Sequence, residues 1–139
     1  MKTFEWKTEY KSPIVLSLGF FDCIHIGHKS LINTANKIAS EIGAESFVMT
    51  FSNDPSVLFY KSRQLYTYED RLGVIENIGA HGVISAEFDD DFAAMQPEDF
   101  LKVLFDTHNV KCVVVGADYT YGINAEGDVE FLEKYCAVR

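Results

Sequence analysis

The hydrophobic pattern divides the chain into short apolar runs and longer amphipathic stretches. Residues 14–20, IVLSLGF, form a nearly continuous apolar run of the kind that makes a strand buried on both faces. From 28 to 42 the period changes: Leu31, Ile32, Ala35, Ile38, Ala39 and Ile42 recur at helical spacing, and Gly43 stands where a C-terminal cap belongs. SFVMTF, 46–51, predicts a second strand closed by Asn53-Asp54-Pro55. Leu72, Ile75 and Ile78 predict a helix over 69–78, and Gly82-Val83-Ile84 a short third strand. Pro97-Glu98-Asp99 is a favourable first turn for a helix over 97–107 that carries Phe100, Val103 and Leu104 on one face. KCVVVG, 111–116, predicts a fourth buried strand, and a Gly-rich loop over 116–128 leads to a last helix at about 128–136.

Strands alternating with helices predict an α/β fold built on an open, mostly parallel sheet with right-handed crossovers. Ligands in such sheets bind beyond the carboxyl ends of the strands, where the strand order reverses. The segments that follow residues 20, 51 and 116 are therefore where chemistry is expected.

Composition narrows the classes. A chain of 139 residues with 47% hydrophobic and 24% charged residues has ordinary globular composition, not that of a disordered segment. The net charge of −9 repels phosphate at long range, which argues against general nucleic-acid or anionic-membrane binding. The charge is uneven, because residues 1–40 carry 5 basic and 3 acidic side chains. The N-terminal part is where a polyphosphate is least repelled. Cys23, Cys112 and Cys136 are widely spaced and odd in number, which fits reduced thiols in a cytoplasmic protein. The start, MKTFEWKTEY, has no apolar core for a secretory signal, and no run approaches the length of a membrane span.

The loop between the first strand and first helix reads Gly19-Phe20-Phe21-Asp22-Cys23-Ile24-His25-Ile26-Gly27-His28. Two imidazoles three residues apart meet a helix start, where unpaired backbone N–H groups and the helix dipole favour an anion. Gly27 lets the backbone approach a ligand, and both histidines can donate to phosphate oxygens. Two other readings of these residues stand beside that one. The histidines could serve packing or surface alone. A zinc site could be formed by His25, His28 and Cys23, although His81 and His108 stand alone and supply no further ligand pair.

The pattern G-x-F-D-x-x-H-x-G-H resembles the signature of the HxGH nucleotidyltransferase superfamily. Further matches narrow the resemblance. Thr50-Phe51 followed by Pro55 is similar to the T-F-x-x-x-P element of bacterial FMN adenylyltransferases, the N-terminal module of bifunctional riboflavin kinase/FAD synthetase. Phe88, Phe92, residues 97–101 and Leu104 are similar to the same module. Residues 114–122 with Gly127-Asp128 resemble its third loop, with Tyr119 and Tyr121 where phenylalanine is common. Cys23 stands where the family usually has glycine. The family's later Ile-Ser-Ser-(Ser/Thr)-x-Ile-Arg motif is not reached before Arg139.

The resemblance implies one Rossmann-like nucleotidyltransferase domain over residues 1–139, truncated at its C-terminal end, with a riboflavin kinase module expected only in the full-length natural chain. It implies AMP transfer from ATP to FMN, giving FAD and pyrophosphate. ATP would lie against Gly19, Phe20, Phe21, Asp22, His25, Gly27, His28, Gly116 and Asp118, with His25 and His28 as the catalytic pair. The flavin would lie against Thr50, Phe51, Asn53 and Tyr121. Mg²⁺ would arrive with ATP, and no protein metal site is expected. ATP and FMN are the expected partners, with neither nucleic acid nor membrane.

Three alternatives remain open at this stage: another phosphorylated acceptor, a non-catalytic nucleotide- or flavin-binding module, and a class I aminoacyl-tRNA synthetase. The last lacks a Lys-Met-Ser-Lys-Ser-like element and is opposed by length and acidity.

Overall fold

The structure, a computed structural model, describes residues 1–19, 26–53, 68–116 and 127–137, with backbone only for 26–28 and 137. Five strands and five helices occur among these residues. In chain order they are β1 (Lys2–Glu5), β2 (Tyr10–Leu18), α1 (Ile26–Ile42), β3 (Glu45–Phe51), α2 (Tyr68–Ile78), β4 (Gly82–Ala86), α3 (Asp90–Ala93), α4 (Pro97–Thr107), β5 (His108–Val114) and α5 (Val129–Ala137). The sheet order is β1-β4-β3-β2-β5, and every pairing is parallel. This is the predicted α/β sheet.

Alternation along the strands sends side chains to two helix layers. Ile14, Leu16 and Leu18 of β2, Phe47 and Met49 of β3, and Ile84 and Ala86 of β4 share one core. Phe100, Leu101 and Leu104 of α4 and Leu132 of α5 cover it. On the other face Val15, Val48 and Val83 pack under Ile32, Ala35 and Ala39 of α1 and Ile75 of α2. Both faces are covered, so the central strands read as continuous apolar runs.

The helix ends follow local chemistry. Gly43 ends α1 at φ +73°, a conformation glycine adopts without a Cβ clash, and the Ala44 N–H donates to the Ala39 carbonyl at 2.9 Å. Asp89 caps α3 by accepting from the Phe92 N–H at 2.8 Å. The acidic run Asp89–Asp91 is exposed and also starts this short helix.

Several element boundaries differ from the pattern. β2 starts at Tyr10 and stops at Leu18, where the apolar run predicted 14–20. Its register against β5 shifts between Tyr10 and Val15, around Pro13, which cannot donate to the ladder. β5 runs over His108–Val114 instead of 111–116, because it begins directly where α4 ends. β1 has no apolar run at all, and its order comes from pairing with β4, from Lys2 opposite Gly82 to Glu5 opposite Ser85.

Beyond β1, Trp6 is 3% exposed and its carbonyl accepts from His108 Nε2 at 2.7 Å, joining the chain start to the first residue of β5. At the amino ends of the strands, Lys2 Nζ donates to Tyr10 Oη at 2.8 Å and to Glu45 Oε2 at 3.0 Å, while Tyr10 Oη donates to Glu45. The Tyr10 hydroxyl holds the Glu45 carboxyl below the usual carboxylate range, burial opposes this, and Lys2 adds to it. This cluster lies at the end of the sheet opposite the expected site.

Candidate functional site

The chain passes from β2 through α1 to β3 and through α2 to β4, moving in one direction across the sheet. β5 then returns to the other side of β2. The strand order therefore reverses between β2 and β5, and the crevice beyond their carboxyl ends is the ligand position of an open α/β sheet. Ser17 pairs with Val114 and Leu18 with Met49. Gly19, the segment up to Gly116, and the β3 exit at Thr50 and Phe51 thus leave the sheet at one end, side by side. The three segments singled out in the sequence depart from these points.

Helix α1 begins at this crevice. Gly27 and His28 lie in its first turn by backbone. That turn has no acidic residue, whereas every other described helix has at least one: Glu69 and Asp70, Asp90 and Asp91, Glu98 and Asp99, and Glu130. Carboxylates at a helix start satisfy the dipole internally. A helix start without them keeps its field and its unpaired N–H groups for an external anion. Phe20, Phe21, Asp22, Cys23, His25, Asp118 and Tyr121 lie outside the described residues, as does the side chain of His28. Among the described residues, Gly19 and Gly116 stand half-buried at the ends of the two strands that flank the crevice.

Thr50, Phe51 and Asn53 have three different environments. Thr50 is 1% exposed and shares its strand face with Val48, toward α1 and α2. Phe51 points to the opposite face, edge-on to Phe88 and Phe92 at centroid distances of 5.1 and 5.3 Å. These rings join Trp6 and Phe100 in one aromatic group, with Phe92 5.4 Å from Trp6 and 5.9 Å from Phe100. Asn53 clasps the exit of β4: its Nδ2 donates to the Phe88 carbonyl at 2.8 Å and its Oδ1 accepts from the Phe88 N–H at 2.7 Å. This pair reproduces a main-chain bridge one step past the end of the β3–β4 ladder. One donor and one acceptor of the amide are used in it. The Ser52 N–H, donating to the Ala86 carbonyl at 2.9 Å, continues the same ladder.

Two polar groups here were not singled out in the sequence. Arg71 of α2 is fully buried, and its Nη2 donates to the Phe51 carbonyl at 2.7 Å. A signal was present: Arg71, Ile75 and Ile78 fall at helical spacing, so the arginine lies on the apolar face. Ser17 is fully buried near the end of β2, on the face toward α1, and its hydroxyl has no hydrogen-bond partner among the described residues. An open groove of about 790 Å³ follows β5 between α1 and α5, with Val113, Val114, Ile38 and Leu132 in its walls. It flanks the sheet edge instead of the carboxyl ends. Among the described residues no group of three or more His, Cys, Asp or Glu side chains could hold a metal, and no helix is long and apolar enough to cross a membrane.

A doubly covered parallel sheet, reversed at β2/β5 and with a carboxylate-free helix start at the crevice, defines a Rossmann-like α/β protein. Over residues 7–139 the chain matches the FAD synthetase family, and it belongs to that family. It is 34% identical over 137 residues to the bifunctional riboflavin kinase/FMN adenylyltransferase of Listeria monocytogenes, covering 96% of this chain and 43% of that protein. It is 33% identical over 125 residues to a putative bifunctional enzyme of the same name from Geobacillus thermodenitrificans, covering 90% and 69%. The fold matches a solved structure described as a macrolide-efflux protein from Streptococcus pneumoniae, with a TM-score of 0.85, 27% identity, and coverage of 97% of this chain and 55% of that one. The chain therefore spans less than half the length of the Listeria relative.

Proposed function

We propose that this chain forms the adenylyl-transferring part of an FAD synthetase, moving AMP from ATP to FMN and releasing pyrophosphate. The observation that carries this reading is where the G-x-F-D-x-x-H-x-G-H segment falls. It leaves β2 at the strand-order reversal and enters the helix whose first turn lacks carboxylates, in a chain of the FAD synthetase family.

The chemistry fits that position. The FMN phosphate is already ionised near neutral pH, so an oxygen of it attacks the ATP α-phosphorus in line without a strong base. The bond from that phosphorus to the β-phosphate bridging oxygen breaks, and pyrophosphate leaves with the electron pair. The protein's work is orientation and neutralisation of charge on the α-phosphoryl group and the leaving group. The α1 start would bind the triphosphate, and His25 and His28 would donate to its oxygens. Gly19, Gly27 and Gly116 would let backbone approach it, with Phe20, Phe21, Asp22 and Asp118 completing the ATP side. Thr50, Phe51, Asn53 and Tyr121 belong to the flavin side. Asn53 would act by fixing the β3 exit, because its amide is engaged with Phe88.

ATP would enter as its magnesium complex, the metal held by phosphate oxygens and water. A riboflavin kinase module would accompany this domain in the full-length natural chain, and the protein would work in the cytoplasm.

The test is chromatographic separation of FMN from FAD after incubation of the full natural chain with FMN, ATP and Mg²⁺. Wild type should form FAD, and the His25→Ala/His28→Ala variant should lose more than about a hundredfold in rate, the scale of removing transition-state donors. A folded wild type that forms no FAD would refute the reading.

A further inference from the structure

We propose that Arg71 is a positioning residue for the FMN side of the site. The inference rests on the adenylyltransferase reading above and adds a residue to it. Arg71 is among the largest fully buried side chains of the described structure. Taking a guanidinium out of water is costly, and apolar side chains satisfy the same helix face one turn later at Ile75. The guanidinium lies over the Tyr68 ring at 5.8 Å, and packing against aliphatic neighbours gives no reason for a cation here.

Its geometry supplies one. Arg71 belongs to α2, in the helix layer on one side of the sheet, yet Nη2 reaches the main-chain carbonyl of Phe51 at 2.7 Å. Phe51 is the last residue of β3. A charge-assisted bond at that carbonyl fixes the peptide plane at the point where the strand leaves the sheet. From the other side the same exit is held by Ser52 on Ala86 and Asn53 on Phe88. The β3 exit is thus gripped from α2 and from β4, and Thr50 and Phe51 are held on opposite faces at the crevice.

Arg71 has no exposed surface of its own. It acts through the Phe51 carbonyl and through a buried positive charge at the end of the sheet where FMN and ATP phosphates would meet. Lysine can keep the charge and one donor, glutamine a donor alone, and methionine neither.

The experiment measures initial rates of FAD formation by the full natural chain, varying FMN and MgATP in turn, for wild type, Arg71→Lys, Arg71→Gln and Arg71→Met. Thermal melts establish the folded fraction. Wild-type turnover tests the reading of the site independently of Arg71, and its absence from folded protein would remove both proposals together. With wild type active, Arg71→Met should raise the FMN KM about tenfold and leave the ATP KM within about twofold, the effect expected from releasing the Phe51 carbonyl. Arg71→Lys should recover most of the loss. An unchanged FMN KM in the folded methionine variant, an equal rise for both substrates, or no recovery by lysine would overturn the inference. If Arg71→Met does not fold, Arg71→Gln decides: a rise confined to FMN supports the positioning role, and unchanged or equally raised constants overturn it.

Discussion

Asn53 provides a direct measure of how the β3 exit is held. Asn53→Ala removes two hydrogen bonds at once, to the Phe88 carbonyl at 2.8 Å and from the Phe88 N–H at 2.7 Å. Each neutral hydrogen bond contributes about 1 kcal/mol net. Both Asn53 and Phe88 are only half-buried, so water can reach part of the exposed main chain. The expected loss is therefore about 1–1.5 kcal/mol, below the sum for two fully buried bonds. Urea unfolding followed by Trp6 fluorescence reads it as a lower midpoint at unchanged slope.

Asn53→Asp separates the two bonds. It keeps an acceptor for the Phe88 N–H and turns a carboxylate oxygen toward the Phe88 carbonyl, where a donor is needed. Protonation restores that donor and is favoured in the folded state. The aspartate variant's deficit should therefore shrink as pH falls toward about 4, while the alanine variant's deficit stays constant relative to wild type. An alanine variant within about 0.3 kcal/mol of wild type, or parallel pH dependences for the two variants, would refute the clasp as an energetic element.

Two other perturbations test the packing. A Cβ on Gly82 would lie 2.4 Å from Phe47 Cε2 and 2.9 Å from the Lys2 carbonyl oxygen, so Gly82→Ala should cost about 1–3 kcal/mol in a thermal or urea melt, and an unchanged melt would refute the contact. Burial holds His108 below its ordinary imidazole value, against the opposing hydrogen bond to Trp6 and the charge of Glu5. The fold thus favours the neutral ring, and its contribution is present above about pH 6.5 and lost as pH falls below it. His108→Gln keeps an N–H for the Trp6 carbonyl and cannot take up a proton, so its stability should fall less than wild type between pH 7 and pH 5. Equal falls would sink the assignment.

The elements most legible in the chain were those with their own local signals. Helix α4 starts at Pro97 and ends at Thr107 as its first turn and apolar stripe predict, and α1 ends before Gly43. Less legible were β1, which has four residues and one half-buried side chain, and the first part of β2, whose pairing with β5 passes Pro13 with a shifted register. Such segments gain order from a neighbour distant in sequence, and no local periodicity reports that neighbour. Arg71 was only partly legible: its spacing from Ile75 and Ile78 puts it on the apolar face of α2, but not at a partner. Its charge suggests a solvated position, and only the docking of α2 against the β3 exit makes it buried.

By itself the sequence determined the alternation of strands and helices, the family motifs and the loops where chemistry is expected, because these depend on residue type and spacing along a few turns of chain. The tertiary structure alone decided that β5 returns beside β2, so that the exits of three strands meet in one crevice. It alone decided that Thr50 and Phe51 turn to opposite faces, that the Asn53 amide is occupied by Phe88, and that a buried arginine grips the same exit. Each of these depends on which strands become neighbours, and that is fixed by burying apolar surface from the whole chain at once.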